Sequence, residues 1–143
     1  MNKIFSFILL ITLSCQSYAN FFNAKYIKNY DGDTITFDLD CDIDFFCKDA
    51  KIRLFGIDTA EIRTKDKCKK AKGYKAKQFV KDRLSNASNI ELKDCVKGKY
   101  FRVVGHIIYD GKNLSKELLK ANLAYSYFGG TKQKINWCDN VLE

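Results

Sequence analysis

Proline is absent from these 143 residues, and histidine occurs only once, as His106. No two cysteines have the Cys-x-x-Cys spacing that is common in structural zinc sites. Zinc binding is therefore disfavoured as the use of the six cysteines. His106 has no partner of metal-ligating or catalytic type nearby in the sequence, so we expect a structural role for it.

Long apolar runs are also missing, and no segment has the ~20 apolar residues that a bilayer span needs. The chain starts with a basic residue, Lys3, an apolar stretch at residues 4–13 and small residues at positions 17 and 19. This order is typical of a secretory signal peptide. We predict a signal peptide at residues 1–19 and a single domain at residues 20–143. The protein would be periplasmic or secreted.

Two other interpretations of the first residues are weaker. An uncleaved anchor would need a longer apolar run. A lipid on Cys15 would need a lipobox, which the preceding Thr-Leu-Ser fits poorly.

The cysteines that remain after removal of Cys15 are odd in number. They are Cys41, Cys47, Cys68, Cys95 and Cys138. An oxidising compartment favours disulfides, and an odd count leaves a thiol that is free or paired with another chain. The sequence leaves the pairing open, although Cys41 and Cys47 flank one predicted hairpin loop and are the favoured pair.

The formal charge is +8, of which the predicted leader carries only Lys3. A basic surface suits a polyanion, namely nucleic acid, an acidic glycan or an anionic membrane. Charge alone does not choose among these three.

Strand patterns precede helical ones along the chain. Alternating or β-branched stretches predict strands at residues 25–29, 34–39, 52–57, 90–92 and 102–109. Helical spacing predicts helices near residues 69–84 and 114–123. This order indicates a mainly β fold with helices and is compatible with a five-stranded OB-type barrel. Other α+β folds remain compatible with the same pattern.

Three short segments contain the charged residues that phosphate chemistry requires. They read Asp-Gly-Asp-Thr at residues 31–34, Arg-Leu-Phe-Gly-Ile-Asp-Thr-Ala-Glu at 53–61 and Lys-Tyr-Phe-Arg at 99–102. A phosphodiester gains negative charge on the way to its transition state, so cations must be positioned in advance. Arginine binds two phosphate oxygens at once, oxygen ligands hold a hard metal ion, and a carboxylate activates water.

The segments supply each of these groups. Asp33 and Asp58 are candidate metal ligands, Arg53 and Arg102 are candidate phosphate-binding residues, and Glu61 is the candidate for activating water. Each also has an ordinary structural explanation, because Asp-Gly-Asp is a common turn, a strand arginine often lies at the surface, and acidic residues are common at helix starts. Their order and spacing together favour chemistry.

The three segments, in this order, resemble those of the staphylococcal nuclease-like, or thermonuclease, family over about residues 25–128. The resemblance implies a five-stranded OB-type barrel capped by two or three α-helices. It also implies a calcium-dependent endonuclease that hydrolyses DNA, RNA or both and leaves 3′-phosphates. We therefore expect a monomer that acts on nucleic acid and has no membrane partner once the leader is removed.

The resemblance assigns roles to individual residues. Two arginines would bind the scissile phosphate, a glutamate would be the general base, and two carboxylates and a backbone carbonyl would bind Ca²⁺. By role, the residues are catalytic Arg53, Glu61 and Arg102; metal-binding Asp33, Asp58 and Thr59; and phosphate-binding Lys99 and Tyr100. Tyr127, in a cluster with Tyr125 and Phe128, is a further candidate for substrate binding by stacking on a base, with core packing as the alternative.

Two residues depart from the family pattern. Ala60 stands where the family has proline, so the loop loses a fixed φ. Phe101 stands where the family has glycine and would reshape the start of the strand or add a stacking surface. We also expect the family's third helix to be short here, because only residues 138–143 follow Trp137 in this sequence. None of these differences removes a catalytic group.

The competing interpretation is a non-enzymatic nucleic-acid-binding barrel of the OB type. The presence of Arg53, Glu61 and Arg102 beside a candidate metal pair argues against it, because binding alone does not require that set. Degradation of DNA by the purified protein, with and without calcium, separates the two interpretations.

Export is directly testable. When the full chain is produced in a bacterium that exports it, the protein recovered outside the cytoplasm should begin at Asn20, because signal peptidase selects small residues such as those at positions 17 and 19. N-terminal sequencing measures this. A retained Met1, or a lipid on Cys15, would contradict the prediction.

Overall fold

The computed structural model describes residues 18–42, 47–99 and 102–138. Within these ranges the structure contains nine strands and two helices. The strands are β1 Ala19–Phe21, β2 Lys25–Asn29, β3 Thr34–Asp38, β4 Ala50–Leu54, β5 Ile57–Thr59, β6 Ile90–Lys97, β7 Val103–Tyr109, β8 Lys112–Asn113 and β9 Ala124–Ser126. The helices are α1 Lys67–Ser85 and α2 Leu114–Lys120.

One sheet contains seven of the strands, in the order β1-β6-β7-β4-β3-β2, with β8 attached to β7. Its pairings are antiparallel except for β4 and β7, which run parallel. Strands β5 and β9 form a separate antiparallel pair. This pairing connects the middle of the chain to its C-terminal part.

The mainly β fold with helices is confirmed, but the five-stranded barrel is wrong. Within the described ranges the sheet ends at β1 on one side and β2 on the other, so it is not closed, and the strands outnumber the prediction. The additional strands β1, β8 and β9 are two or three residues long, which is too short for a period to be recognised. The stretch predicted as one strand at residues 52–57 is also divided, because Gly56 turns the chain with a φ of +77°.

The core lies between the sheet and the two helices. Strands β3 and β4 bury Ile35, Phe37 and Ile52 completely. Each such side chain contributes about 1.5–3 kcal/mol of hydrophobic stabilisation. Helix α1 covers the core with residues spaced four apart, Ala76, Val80 and Leu84, while most of its lysines face outwards.

Helix α1 also packs behind the turn that precedes β3. An added Cβ on Gly32 would lie 2.7 Å from the Cβ of Ala76 and 2.9 Å from the Cγ2 of Thr59. Real Cβ atoms do not approach that closely, so only glycine allows the turn, β5 and α1 to meet. This contact fixes the position of Asp33, the residue that follows.

Gly32→Ala should therefore destabilise the protein. We expect a loss of about 1–3 kcal/mol in the free energy of unfolding, because a methyl group is forced into a packed interface. Urea denaturation measures it. In the double mutant with Ala76→Gly, which removes the nearest atom, the loss should be smaller than the sum of the two single losses. If the loss in the double mutant equalled the sum of the two single losses, the proposed contact between Gly32 and Ala76 would be contradicted.

Candidate functional site

The turn at residues 31–34 directs a carboxylate into the protein. The Asp31 Oδ1 accepts hydrogen bonds from the backbone N–H groups of Asp33 at 3.1 Å and Thr34 at 2.8 Å. This local bonding closes the turn without any distant contact. Asp33 is then almost fully buried, at 2% exposure, and points towards β4 and β5.

Arg53, on β4, lies between two buried carboxylates. Its Nη1 donates to the Oδ1 of Asp33, and its Nη2 donates to the Oδ1 of Asp58 at 2.5 Å. The register of β3 and β4 places Thr34 opposite Arg53, and Asp58 follows in β5. The two terminal nitrogens of one guanidinium therefore hold together the carboxylates of the turn and of β5.

The remaining oxygens of both carboxylates also accept hydrogen bonds. The backbone N–H of Thr59, at 2.9 Å, and its hydroxyl, at 3.1 Å, donate to the Oδ2 of Asp33. The Tyr125 hydroxyl donates to the Oδ2 of Asp58 at 2.8 Å, because β5 and β9 pair with these two residues opposite each other. Tyr125 is thus connected to the site through its hydroxyl group.

Burial and like charge raise the pKa of one carboxyl in this cluster. The pKa of Asp33 is raised to about 6, chiefly by desolvation and also by the neighbouring Asp31, while the charge of Arg53 opposes the shift. Desolvation and the hydrogen bond to Asp58 likewise raise the pKa of the Tyr125 hydroxyl. Asp33 therefore lies in surroundings where additional positive charge is favourable.

Glu61 and Lys132 complete the cluster on its solvent side. Glu61 lies in the loop after β5 and is exposed. The Nζ of Lys132 lies 3.0 Å from the Oδ2 of Asp58 and 3.6 Å from the Oε1 of Glu61. Sequence reasoning missed Lys132, because it lies in a segment with no periodic pattern and outside the three motifs.

Three open clefts border this cluster, and two of them are lined by both arginines, Arg53 and Arg102. The smaller of these two, of about 250 Å³, is lined by all six predicted catalytic and metal-binding residues, namely Asp33, Arg53, Asp58, Thr59, Glu61 and Arg102. The larger, of about 480 Å³, is lined by Lys99 and Tyr127. Arg53, Arg102 and Lys132 line both. Tyr100 and Phe101 lie outside the described residues, so their roles remain predictions.

Aromatic side chains form one edge of the larger cleft. Phe55 and Phe128 are exposed, with ring centroids 5.6 Å apart, and the Tyr127 hydroxyl donates to the Gly130 carbonyl at 2.9 Å. The ring of His106, on β7, lies 5.1 Å from that of Phe55. These rings provide flat apolar surface beside the charged residues.

The loop with Ala60 is restrained by packing. Ala60 is completely buried, and an added Cβ on Gly73 of α1 would lie 2.6 Å from the Ala60 carbonyl oxygen. The close approach of α1 thus restrains the backbone at Ala60, the position where the family pattern has proline.

The C-terminal segment is attached to α1 by a disulfide. Cys68, in the first turn of α1, is bonded to Cys138, and Cys41 is bonded to Cys47, the pair that the sequence favoured. Trp137 is buried, with its ring 6.1 Å from that of Tyr125. Cys95 is a free buried thiol whose pKa burial raises to about 11.

The donor set fits a hard divalent cation in chemical type. Asp33 and Asp58 offer carboxylate oxygens, and oxygen ligands are those that Ca²⁺ and Mg²⁺ prefer. Among the described residues, no three His, Cys, Asp or Glu side chains surround one point, so a cation would need water or backbone oxygens as well. In this structure Arg53 and Lys132 supply the positive charge to the two carboxylates.

The fold and the site define a small, mainly β protein in which arginines, lysines and carboxylates face one pair of open clefts. No helix within the described ranges has the length and apolar character needed to cross a membrane. Residues 51–139 match the family model described as staphylococcal nuclease homologue. This match covers more than half of the chain. The chain belongs to the staphylococcal nuclease homologue family.

A relative is found in an archaeon. The uncharacterized protein MJ1439 of Methanocaldococcus jannaschii is 31% identical over 133 residues. The match covers 77% of this chain and 61% of the relative, so this chain spans less than two thirds of that protein. The family match begins at residue 51 and therefore includes Arg53, Asp58 and Arg102, whereas Asp33 precedes it.

Proposed function

We propose that this protein is a nuclease that hydrolyses phosphodiester bonds of DNA, RNA or both, depends on calcium and leaves 3′-phosphates. One observation carries the proposal. Two arginines, Arg53 and Arg102, line the same cleft as a buried carboxylate pair and the exposed carboxylate of Glu61. Family membership supports nucleic acid as the substrate.

The arginines would bind the scissile phosphate. A guanidinium is permanently charged, and its planar arrangement of N–H groups matches two phosphate oxygens as well as it matches carboxylates. Arg102 lines both clefts and can bind a phosphate that lies across them. Such positioned charge stabilises the extra negative charge of the transition state.

Glu61 would orient the attacking water and accept its proton. It is the exposed carboxylate of the cluster, so water reaches it, whereas Asp33 and Asp58 are buried. General-base catalysis of this kind contributes about 10²–10⁴-fold to a rate.

Asp33, Asp58 and the backbone carbonyl of Thr59 would hold the cation. When bound, a divalent cation would supply positive charge beside the phosphate and polarise its oxygen. Burial of the two carboxylates, and the raised pKa of Asp33, support a need for such charge.

We also propose that the protein acts after export as a monomer. The Cys41–Cys47 and Cys68–Cys138 disulfides support an oxidising compartment, where such bonds persist. The aromatic and basic edge of the larger cleft supports a nucleic-acid substrate and not a membrane.

Substitution of the catalytic groups should reduce cleavage far more than binding. Arg102→Lys keeps the charge but loses the bidentate N–H groups, and Glu61→Gln removes the base, so we expect each rate to fall by about 10²-fold or more. Single-turnover cleavage of a short DNA measures this, beside a binding titration in calcium. Arg53→Ala should lose activity as well, and circular dichroism must show that it folds, because its partners are buried.

Matched controls come from the same chain. Arg83→Lys, at the end of α1, and Glu91→Gln, on β6, make the same chemical changes away from the clefts and should leave the rate unchanged. Folded Arg102→Lys and Glu61→Gln proteins that cleave at the parent rate would refute the assigned roles. A parent protein that binds DNA but never cleaves it would favour the non-enzymatic barrel.

Removal of calcium should abolish cleavage. In excess chelator the protein should keep its fold, because Arg53 and Lys132 still neutralise Asp33 and Asp58, but it should not cleave. Titration of Ca²⁺ into the chelated protein should restore the rate, with Mg²⁺ as the comparison. Undiminished cleavage in chelator would exclude a divalent cation from the reaction.

A further inference from the structure

Lys132 lies where the two clefts meet, in the segment after β9. Its ammonium nitrogen contacts Asp58 at 3.0 Å and Glu61 at 3.6 Å. Lys132 therefore links Asp58, a proposed cation ligand, with Glu61, which is proposed to orient the attacking water. The same side chain lines the larger cleft, in which Lys99 and Tyr127 lie.

The ion pairs of Lys132 differ in burial from those of Arg53. The Lys132 side chain is 48% exposed and that of Glu61 is 55% exposed, whereas the Arg53 side chain is 18% exposed. Exposed ion pairs contribute little to stability, since water and salt screen them. The Lys132–Glu61 pair therefore adds little to fold stability, whereas in the Lys132–Asp58 pair the carboxylate is only 5% exposed. Because the ammonium group itself reaches solvent, it can leave Asp58 once another cation replaces its charge there.

The chemistry of an ammonium group suits such an exchange. It is a compact charge on a flexible stem, so it pairs with a carboxylate or a phosphate without a required orientation. Asp58 already accepts hydrogen bonds from Arg53 and Tyr125. A cation that binds Asp58 competes most directly with Lys132, the most exposed of these three partners.

We propose that Lys132 is an active-site counter-ion, which pairs with Asp58 and Glu61 in the cation-free protein and transfers to a substrate phosphate when a divalent cation binds there. This inference rests on the proposed function. It assigns to one lysine two opposite effects, since Lys132 competes with the cation and assists the binding of nucleic acid.

The C-terminal segment holds Lys132 near both partners. The segment is attached on one side through the pairing of β5 with β9 and on the other through the Cys68–Cys138 disulfide. The Gly-Gly pair at residues 129–130, with φ values of +106° and +83°, turns the chain just before Lys132. The ammonium group can then move between the clefts while its backbone stays in place.

The test compares Lys132→Met with Lys134→Met, which removes the same charge from the same segment. Lys134 is exposed and has no ion pair with any residue that the structure describes. Calorimetric titration of Ca²⁺ without nucleic acid should show tighter binding to Lys132→Met, by about 5-fold or more, as expected when a coupled competitor is removed. Lys134→Met should bind Ca²⁺ as the parent does.

A second titration uses a short DNA with non-hydrolysable phosphonate linkages, in saturating Ca²⁺. Lys132→Met should bind it about 5-fold or more weakly than Lys134→Met does, because Lys132 lines both clefts and Lys134 lines neither. Lys132→Arg keeps the charge and should stay near the parent in both titrations. A purely structural defect would weaken both kinds of binding, so opposite shifts identify the counter-ion role.

The possible failures are distinguishable. If Lys132→Met differs from Lys134→Met in neither titration, or binds Ca²⁺ more weakly than the parent, the inference is overturned. If the parent binds no divalent cation, both this inference and the calcium dependence of the proposed function are wrong. If Lys132→Met shifts the two affinities in opposite directions but the parent never cleaves DNA, the counter-ion role of Lys132 is supported. Only the proposed nuclease activity is then contradicted.

Discussion

The interaction of Arg53 with Asp33 and Asp58 is the constraint on which the rest of the site depends. It joins the turn before β3, strand β4 and strand β5, three pieces that the sheet alone does not hold in this relation. Two buried carboxylates without a counter-charge would cost several kcal/mol. The guanidinium therefore stabilises the fold at the point where the proposed chemistry also needs it, and a residue with two such roles cannot be replaced without loss in both.

The C-terminal segment shows how distant parts of the chain reach this constraint. Beyond β9 no strand or helix is assigned within the described residues, up to residue 138. Its attachments are the Tyr125 hydroxyl on Asp58, the packing of Trp137 and the Cys68–Cys138 disulfide. The disulfide closes a loop with a sequence separation of 70, so it removes much entropy from the unfolded chain.

Membership of the staphylococcal nuclease homologue family explains the shared motifs, and the differences have local physical explanations. Close packing of Gly73 against Ala60 restrains the loop where the family pattern has proline. The exposed rings of Phe55 and Phe128 form part of the apolar edge of the larger cleft. These features concern the surroundings of the charged residues and leave the residues themselves in place.

Features that depend on neighbours along the chain could be predicted from the sequence. The bounds of β2, the start of α2 at Leu114 and the turn at residues 31–34 follow from alternation, helical spacing and the local hydrogen bonds of Asp31. The motifs likewise indicated Asp33, Arg53 and Asp58 as one group. Three other features could not be predicted and are known from the three-dimensional fold: the sheet is open within the described ranges, β9 pairs with β5, and Lys132 contacts Glu61. Strands of two or three residues have no readable period, and a contact between residues far apart in the chain depends on how all the elements between them pack.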